Sequence, residues 1–250
     1  MSSSNGWAWF LALLTFVFGA VPDLTGARAH PGTASSSAAA PKTRAGTTAA
    51  PAPAPPPSTT MAPTAFRSRI DPVTADDLGG SYHEGCPVAP DELRALTVSY
   101  LGFDGETHTG RLVVSATWAA QLAGVFETLY AEQFPIRTMR PVAVYGASDD
   151  ASMAADNTSA FNCRAVTGGS SFSEHSYGTA VDLNPIENPY LSGDLVEPDA
   201  GGGYLDRSDV RPGMITADGP VVAAFAAIGW SWGGAWSSPT DYQHFSASGR

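Results

Sequence analysis

The residues after position 66 predict an α+β domain in which a small antiparallel sheet is flanked by helices. Three observations lead there. Short β-prone stretches recur between turn signals, two segments place apolar residues at helical spacing, and the two kinds mix without the regular strand–helix rhythm of a parallel sheet.

The elements follow in order. Structure is expected to begin near Phe66 to Ile70. Leu96 to Phe103 and Arg111 to Ser115 read as strands, joined by Asp104-Gly105 and a polar loop containing His108. Trp118, Leu122, Val125, Phe126 and Leu129 then recur at helical spacing, and this helix is expected to end near Phe134-Pro135. Arg140 to Tyr145 reads as a further strand, and Asp149 to Cys163 as a polar loop with a helical piece. Gly178 to Leu183 alternates like a strand that Asn184-Pro185 stops. A second helix is marked by Asp218 as cap, Pro220 in the first turn and Gly229 as terminator. Trp230 to Trp236 and a short strand near Tyr242 to Phe245 close the chain.

The first 66 residues read differently. Trp7 to Val21 is an apolar run of 15 residues, and Ala27-Arg28-Ala29 fits a small-x-small cleavage site. Residues 1–29 are therefore expected to be a signal peptide. The run is short beside the roughly 20 residues of a spanning helix. Met1 to Gly6 holds no Lys or Arg, so a retained membrane anchor is the alternative. Either way the remainder is expected outside the cytoplasm, secreted or held at the membrane by the uncleaved segment. Residues 30–66, rich in Ala, Pro, Ser and Thr, carry no apolar periodicity and are expected to form a disordered linker. Residues 67–250 are expected to form one domain, long enough for a substantial core.

Charge excludes several functions. Removing residues 1–66 takes Arg28, Lys42 and Arg44 from the 13 bases and Asp23 from the 24 acids, which leaves ten bases against 23 acids, a net −13. Phosphate backbones and anionic membrane surfaces repel such a domain, so no nucleic acid and no stable membrane partner are expected unless the N-terminal segment is retained. Every one of the ten bases is arginine, which excludes lysine-based covalent chemistry. A monomer is expected. The two cysteines, Cys86 and Cys163, suit one disulfide in an exported protein, with two separate buried thiols as the alternative.

Of the five histidines, His30 falls in the linker, and His83 and His108 fall in polar segments where exposure is the default. His175 belongs to Ser173-Glu174-His175-Ser176-Tyr177-Gly178-Thr179-Ala180-Val181-Asp182. Seven residues span roughly 23 Å in a strand and about 10 Å in a helix, too far for His175 and Asp182 to share an ion. The chain must fold back between them, and Gly178 can take the backbone angles required. Ala180 and Asp182 then face the same side of a strand.

The pattern Ser-x-His-x-x-Gly-x-Ala-x-Asp resembles the D-alanyl-D-alanine carboxypeptidase family of zinc peptidases, the vancomycin-resistance-type and L-alanyl-D-glutamate peptidase-like enzymes of the hedgehog/DD-peptidase fold. Asp182-Leu183-Asn184-Pro185, Asn188-Pro189-Tyr190, Gly229-Trp230-Ser231-Trp232-Gly233-Gly234 and Asp241-Tyr242-Gln243-His244-Phe245 look like that family too. So do Phe134-Pro135-Ile136 and Asn157 to Arg164, which extends the likeness over roughly residues 80–246. The resemblance implies that His175, Asp182 and His244 hold Zn2+ and leave a fourth position for water. It also implies that Asp241, where the family often has Glu, is the general base. Arg164, with Arg140 as second choice, would meet the oxyanion or a substrate carboxylate. Ser173 would hydrogen-bond the substrate, or else serve only as a turn former. Trp230, Trp232 and Trp236 are expected to pack the core and the cleft wall. The implied function is hydrolysis of peptidoglycan stem or cross-link peptides. The alternative is a non-catalytic wall-binding module with a structural metal. A serine hydrolase is disfavoured because the chain has no Gly-x-Ser-x-Gly elbow.

Overall fold

The computed structural model describes residues 65–166 and 168–249. The expected signal peptide and residues 30–64 of the expected linker lie outside them. Among the described residues no helix is long and apolar enough to cross a membrane.

The chain mixes helices with small, mostly antiparallel sheets. Strand β1 (Ser68–Pro72) and helix α1 (Ala75–Leu78) precede β2 (Leu93–Leu101) and β3 (Thr107–Ser115), which form an antiparallel sheet in the order β1-β2-β3. Strand β2 starts earlier than its expected Leu96 and ends at Leu101, before the expected Phe103, while β3 starts earlier than the expected Arg111 and ends at Ser115 as expected. His108 is consequently a β3 residue paired with Tyr100, not a loop residue, because the turn needs only residues 102–106.

Helix α2 (Ala119–Ala131) buries Leu122, Val125, Phe126 and Leu129 against Leu96, Val98, Leu112 and Val114 of the sheet. Full burial of each such side chain contributes about 1.5–3 kcal/mol, so this face anchors the main core. The opposite face of the sheet builds a second cluster from Leu93, Ala95, Val113, Phe161 and Cys163. Cys163 is joined to Cys86 in a disulfide, so the pairing read from the sequence is present.

The expected strand over Arg140 to Tyr145 is not one. Strand β4 (Thr138–Met139) is followed by a 3₁₀ turn over Val142–Tyr145 that begins after Pro141 and ends on left-handed Gly146. Helix α3 (Asp149–Ala154), capped by Ser148, leads into β5 (Asn157–Thr158), which pairs in parallel with β4. A second sheet has the order β6-β11-β9, from β6 (Ala180–Asp182), β9 (Ser231–Trp232) and β11 (His244–Ser246). A third joins β7 (Tyr190–Ser192), β8 (Leu195–Glu197) and β10 (Thr240–Asp241) in the order β10-β7-β8. The β-structure is thus divided among several small sheets instead of one. Helix α4 (Pro220–Ala227) has Pro220 in its first turn as expected, but its N-cap is Gly219 and not Asp218. Gly229 ends it at φ +83°.

Glu187, between β6 and β7, is buried together with Asp156, which stands just before β5. Asp156 and Glu187 share Arg137, whose Nε lies 3.3 Å from Asp156 Oδ2 and whose Nη2 lies 3.4 Å from Glu187 Oε1. Burial, and then the hydrogen bond and charge of Asp156, push the Glu187 carboxyl up to about 7. An acid that gains affinity for its proton on folding stabilises the fold fully below its ordinary value and loses that contribution as pH rises through the folded one. The melting temperature is therefore expected to fall between about pH 4.5 and about pH 7, and Glu187→Gln is expected to flatten that slope. Thermal unfolding across this range checks it; a slope that persists unchanged in the variant contradicts it.

Candidate active site

Strand alternation builds the site. On β6 and β11, Val181 and Phe245 enter the core, where Phe245 stacks on Phe225 at 4.1 Å. The intervening residues face the other way, and the antiparallel register sets His244 opposite Asp182. The Asp182 backbone is fixed from its other side by reciprocal hydrogen bonds with Ser159, at 3.0 and 2.9 Å.

His175 reaches the same point from a 3₁₀ turn over Glu174–Tyr177, capped by Ser173 Oγ and ended by Gly178 at φ +65°. This is the reversal expected between His175 and Asp182. A Cβ at Gly178 would come within 2.6 Å of Ser115 N and 3.0 Å of the Val114 carbonyl carbon, both backbone. Gly178→Ala combines this clash with a left-handed angle, and is expected to destabilise the domain by about 1–3 kcal/mol, measured by thermal unfolding. An unchanged melting temperature would contradict the close approach.

The three side chains converge. His175 Nε2 lies 3.1 Å from Asp182 Oδ2 and 3.3 Å from His244 Nδ1, and His244 Nδ1 lies 3.0 Å from Asp182 Oδ1. All three residues are buried, and their candidate ligand atoms fall within 4.8 Å of one another. The other nitrogen of His175, Nδ1, is 2.6 Å from the Ala160 carbonyl, an acceptor that keeps the proton there and leaves the Nε2 lone pair facing the cluster. Burial opposes ionisation of Asp182, but with the imidazoles protonated the charges and hydrogen bonds of His175 and His244 outweigh it and hold the carboxyl well below its usual range; a cation would take the place of those protons. Two lone-pair nitrogens and an anionic oxygen directed at one point are a donor set for a divalent cation.

Asp241 stands three residues before His244, at the end of β10. Its Oδ1 is buried and has no hydrogen-bond partner among the described residues. Burial pushes its carboxyl up to about 7; His244, His175 and Arg164 pull it down, and Asp182 pushes it up, so it stands within the electrostatic reach of the cluster. Gly233 permits this placement, since a Cβ there would meet the Asp241 carbonyl at 2.7 Å and the His244 Cβ at 3.3 Å.

Arg164, Ser173, His175, Asp182, Asp241 and His244 line one cleft of about 410 Å³. Arg164 is held in an ion pair with Asp149, 2.5 Å away. Its backbone is clasped by Ser176 Oγ, which accepts from Arg164 N at 2.9 Å and donates to Arg164 O at 2.7 Å. Ser173 Oγ accepts from His175 N at 3.3 Å, so its observed role is that of a turn former at the cleft wall. Trp236 lies against the His244 ring at 5.5 Å and lines the cleft, whereas Trp230 is buried in the core. Arg140 does not join them. It lines a separate hollow with Arg111 and Thr138, because the segment read as a strand turns away after β4. The sequence reading missed Asp149 and the Ala160 carbonyl.

This order of residues has a counterpart among known proteins. Residues 167–247 match the D-alanyl-D-alanine carboxypeptidase family model. The resemblance read from the motifs is therefore found again over a stretch that holds Ser173, His175, Asp182, Asp241 and His244. It is shorter than the likeness expected over residues 80–246, and Arg164 and Arg140 lie upstream of it. The family is one of metallopeptidases, and within its matched segment stands the His175, Asp182 and His244 cluster. No curated protein and no solved structure matches the chain.

Proposed function

We propose that this chain is an exported zinc peptidase that hydrolyses stem or cross-link peptides of peptidoglycan, on a fold of the hedgehog/DD-peptidase type. The observation that carries the reading is the convergence of His175 Nε2, His244 Nδ1 and an Asp182 carboxylate within the family-matched segment. Two imidazoles and one carboxylate suit zinc, and three protein ligands leave a position open for chemistry. When bound there, the cation supplies Lewis-acid polarisation of a peptide carbonyl and a more acidic water.

The chain's own groups do the rest. Asp241, an acid with an unpartnered buried oxygen, accepts the proton of the attacking water and returns it to the leaving amine. Arg164, held in place by Asp149, presents positive charge to the oxyanion or to a substrate carboxylate. Trp236 fixes the His244 ring and shields the cluster from solvent. The expected export signal at residues 1–29 and the linker that follows agree with a substrate in the cell wall.

Incubating the purified chain with solubilised wall fragments and zinc, followed by mass spectrometry, is expected to reveal shortened or unlinked stem peptides. Their absence in every fragment, linear or cross-linked, contradicts the proposal.

A further inference from the structure

A second hollow, of about 350 Å³, opens where β3 meets the segment following β4. It shares no lining residue with the cleft that holds His175, Asp182 and His244. That volume falls in the range of small-molecule pockets. Its lining is largely polar. Arg111 and Arg140, both exposed, contribute together with Thr97, Tyr100, His108, Thr109 and Thr138, and no acidic residue does.

The charge balance makes this placement informative. In a segment with ten arginines against 23 acids, most guanidinium groups have found a partner. Arg69 pairs with Asp71, Arg137 with Asp156 and Glu187, Arg164 with Asp149 and Arg211 with Asp209, while Arg94 and Arg207 donate to carbonyl oxygens. Among the described residues only Arg67, Arg111 and Arg140 have no side-chain hydrogen bond or ion pair, and two of those three line one hollow. Two nearby acids are otherwise engaged or distant. Asp104 is tied to His108 Nε2 at 2.9 Å, and Asp77 feels Arg111 only as the weakest influence on its carboxyl. Two cations sharing a concavity repel one another unless an anion lies between them, and planar guanidinium forks match oxyanions in two-point contact.

We propose that this hollow is a binding site for an oxyanion, a phosphate or carboxylate borne on a small polyol or sugar, gripped by Arg111 and Arg140. The threonine hydroxyls and the Tyr100 phenol supply the neutral contacts to the attached carbon skeleton. The volume exceeds what a bare phosphate fills, which leaves room for the group that carries it. Such a site would take its ligand independently of the cleft.

The test is a titration of the full chain, labelled with nitrogen-15, at constant ionic strength in chloride. Glycerol 3-phosphate and glucuronate serve as separate probes, read on the arginine Nε–H signals and the backbone amides. Saturable shifts at Arg111, Arg140 and Thr109 with either probe support the site, and the probe that binds tells phosphate from carboxylate. Arg111→Gln and Arg140→Gln are each expected to weaken binding by at least about tenfold, while the remaining amides keep their positions and so report an intact fold. Proportional, non-saturating shifts with both probes, or equal affinity in both variants, overturn the proposal.

Discussion

Replacing Asp241 with Ala or Asn is expected to lower peptide cleavage by about 10²–10⁴-fold while leaving metal binding in place, the scale on which positioned acid–base groups act. The position of the Asp241 carboxyl is the physical ground for this. It lies outside the His175, Asp182 and His244 cluster, one of its oxygens is buried without a partner, and burial lifts its affinity for a proton toward about 7. A structural ion has no use for such a group, and a buried acid without a hydrogen bond is a cost to the fold unless chemistry needs it. The Asn variant is the more informative of the two, because it keeps the shape and removes only the proton acceptor. Cleavage at the wild-type rate by either variant would make the site a structural one, as in the alternative of a non-catalytic wall-binding module.

Removing a ligand is expected to cost more. His175→Ala takes away the ring whose Nε2 faces both Asp182 and His244, and with it the several kcal/mol of transition-state stabilisation a bound cation supplies, about 10³-fold or more in rate. It also leaves Asp182 with a single imidazole partner, so the cation affinity falls with the activity. Near-ultraviolet circular dichroism separates this from unfolding, since the aromatic core around Phe225, Trp230 and Phe245 lies on the other face of the sheet. A folded His175→Ala protein that cleaves as well as wild type contradicts the ligand assignment.

What could be read beforehand divides along physical lines. The reversal at Gly178 was legible because seven residues of either regular conformation are too long for a shared ion, and only a turn resolves that. Helices α2 and α4 were legible because their apolar spacing and proline position report local geometry. Arg140 was misplaced because a β-branched run after proline fits a strand and a 3₁₀ turn equally well. Gly146 in the left-handed region decides for the turn. The Arg164–Asp149 pair joins residues 15 apart across a loop, without any periodicity to announce it. The Ala160 carbonyl that orients His175 is a backbone group, to which residue identity gives no clue. The division of the strands among several short sheets depends on long-range pairing, such as β6 with β11, that local patterns do not specify.

The central claim is that His175, Asp182 and His244 hold one cation on which peptide cleavage depends. Stripping the purified protein with a chelator and titrating zinc back, with bound metal and cleavage followed together, tests it most directly. Both are expected to rise in proportion and saturate at one equivalent. Cleavage that survives complete stripping, or a protein that takes up no stoichiometric metal, would contradict it.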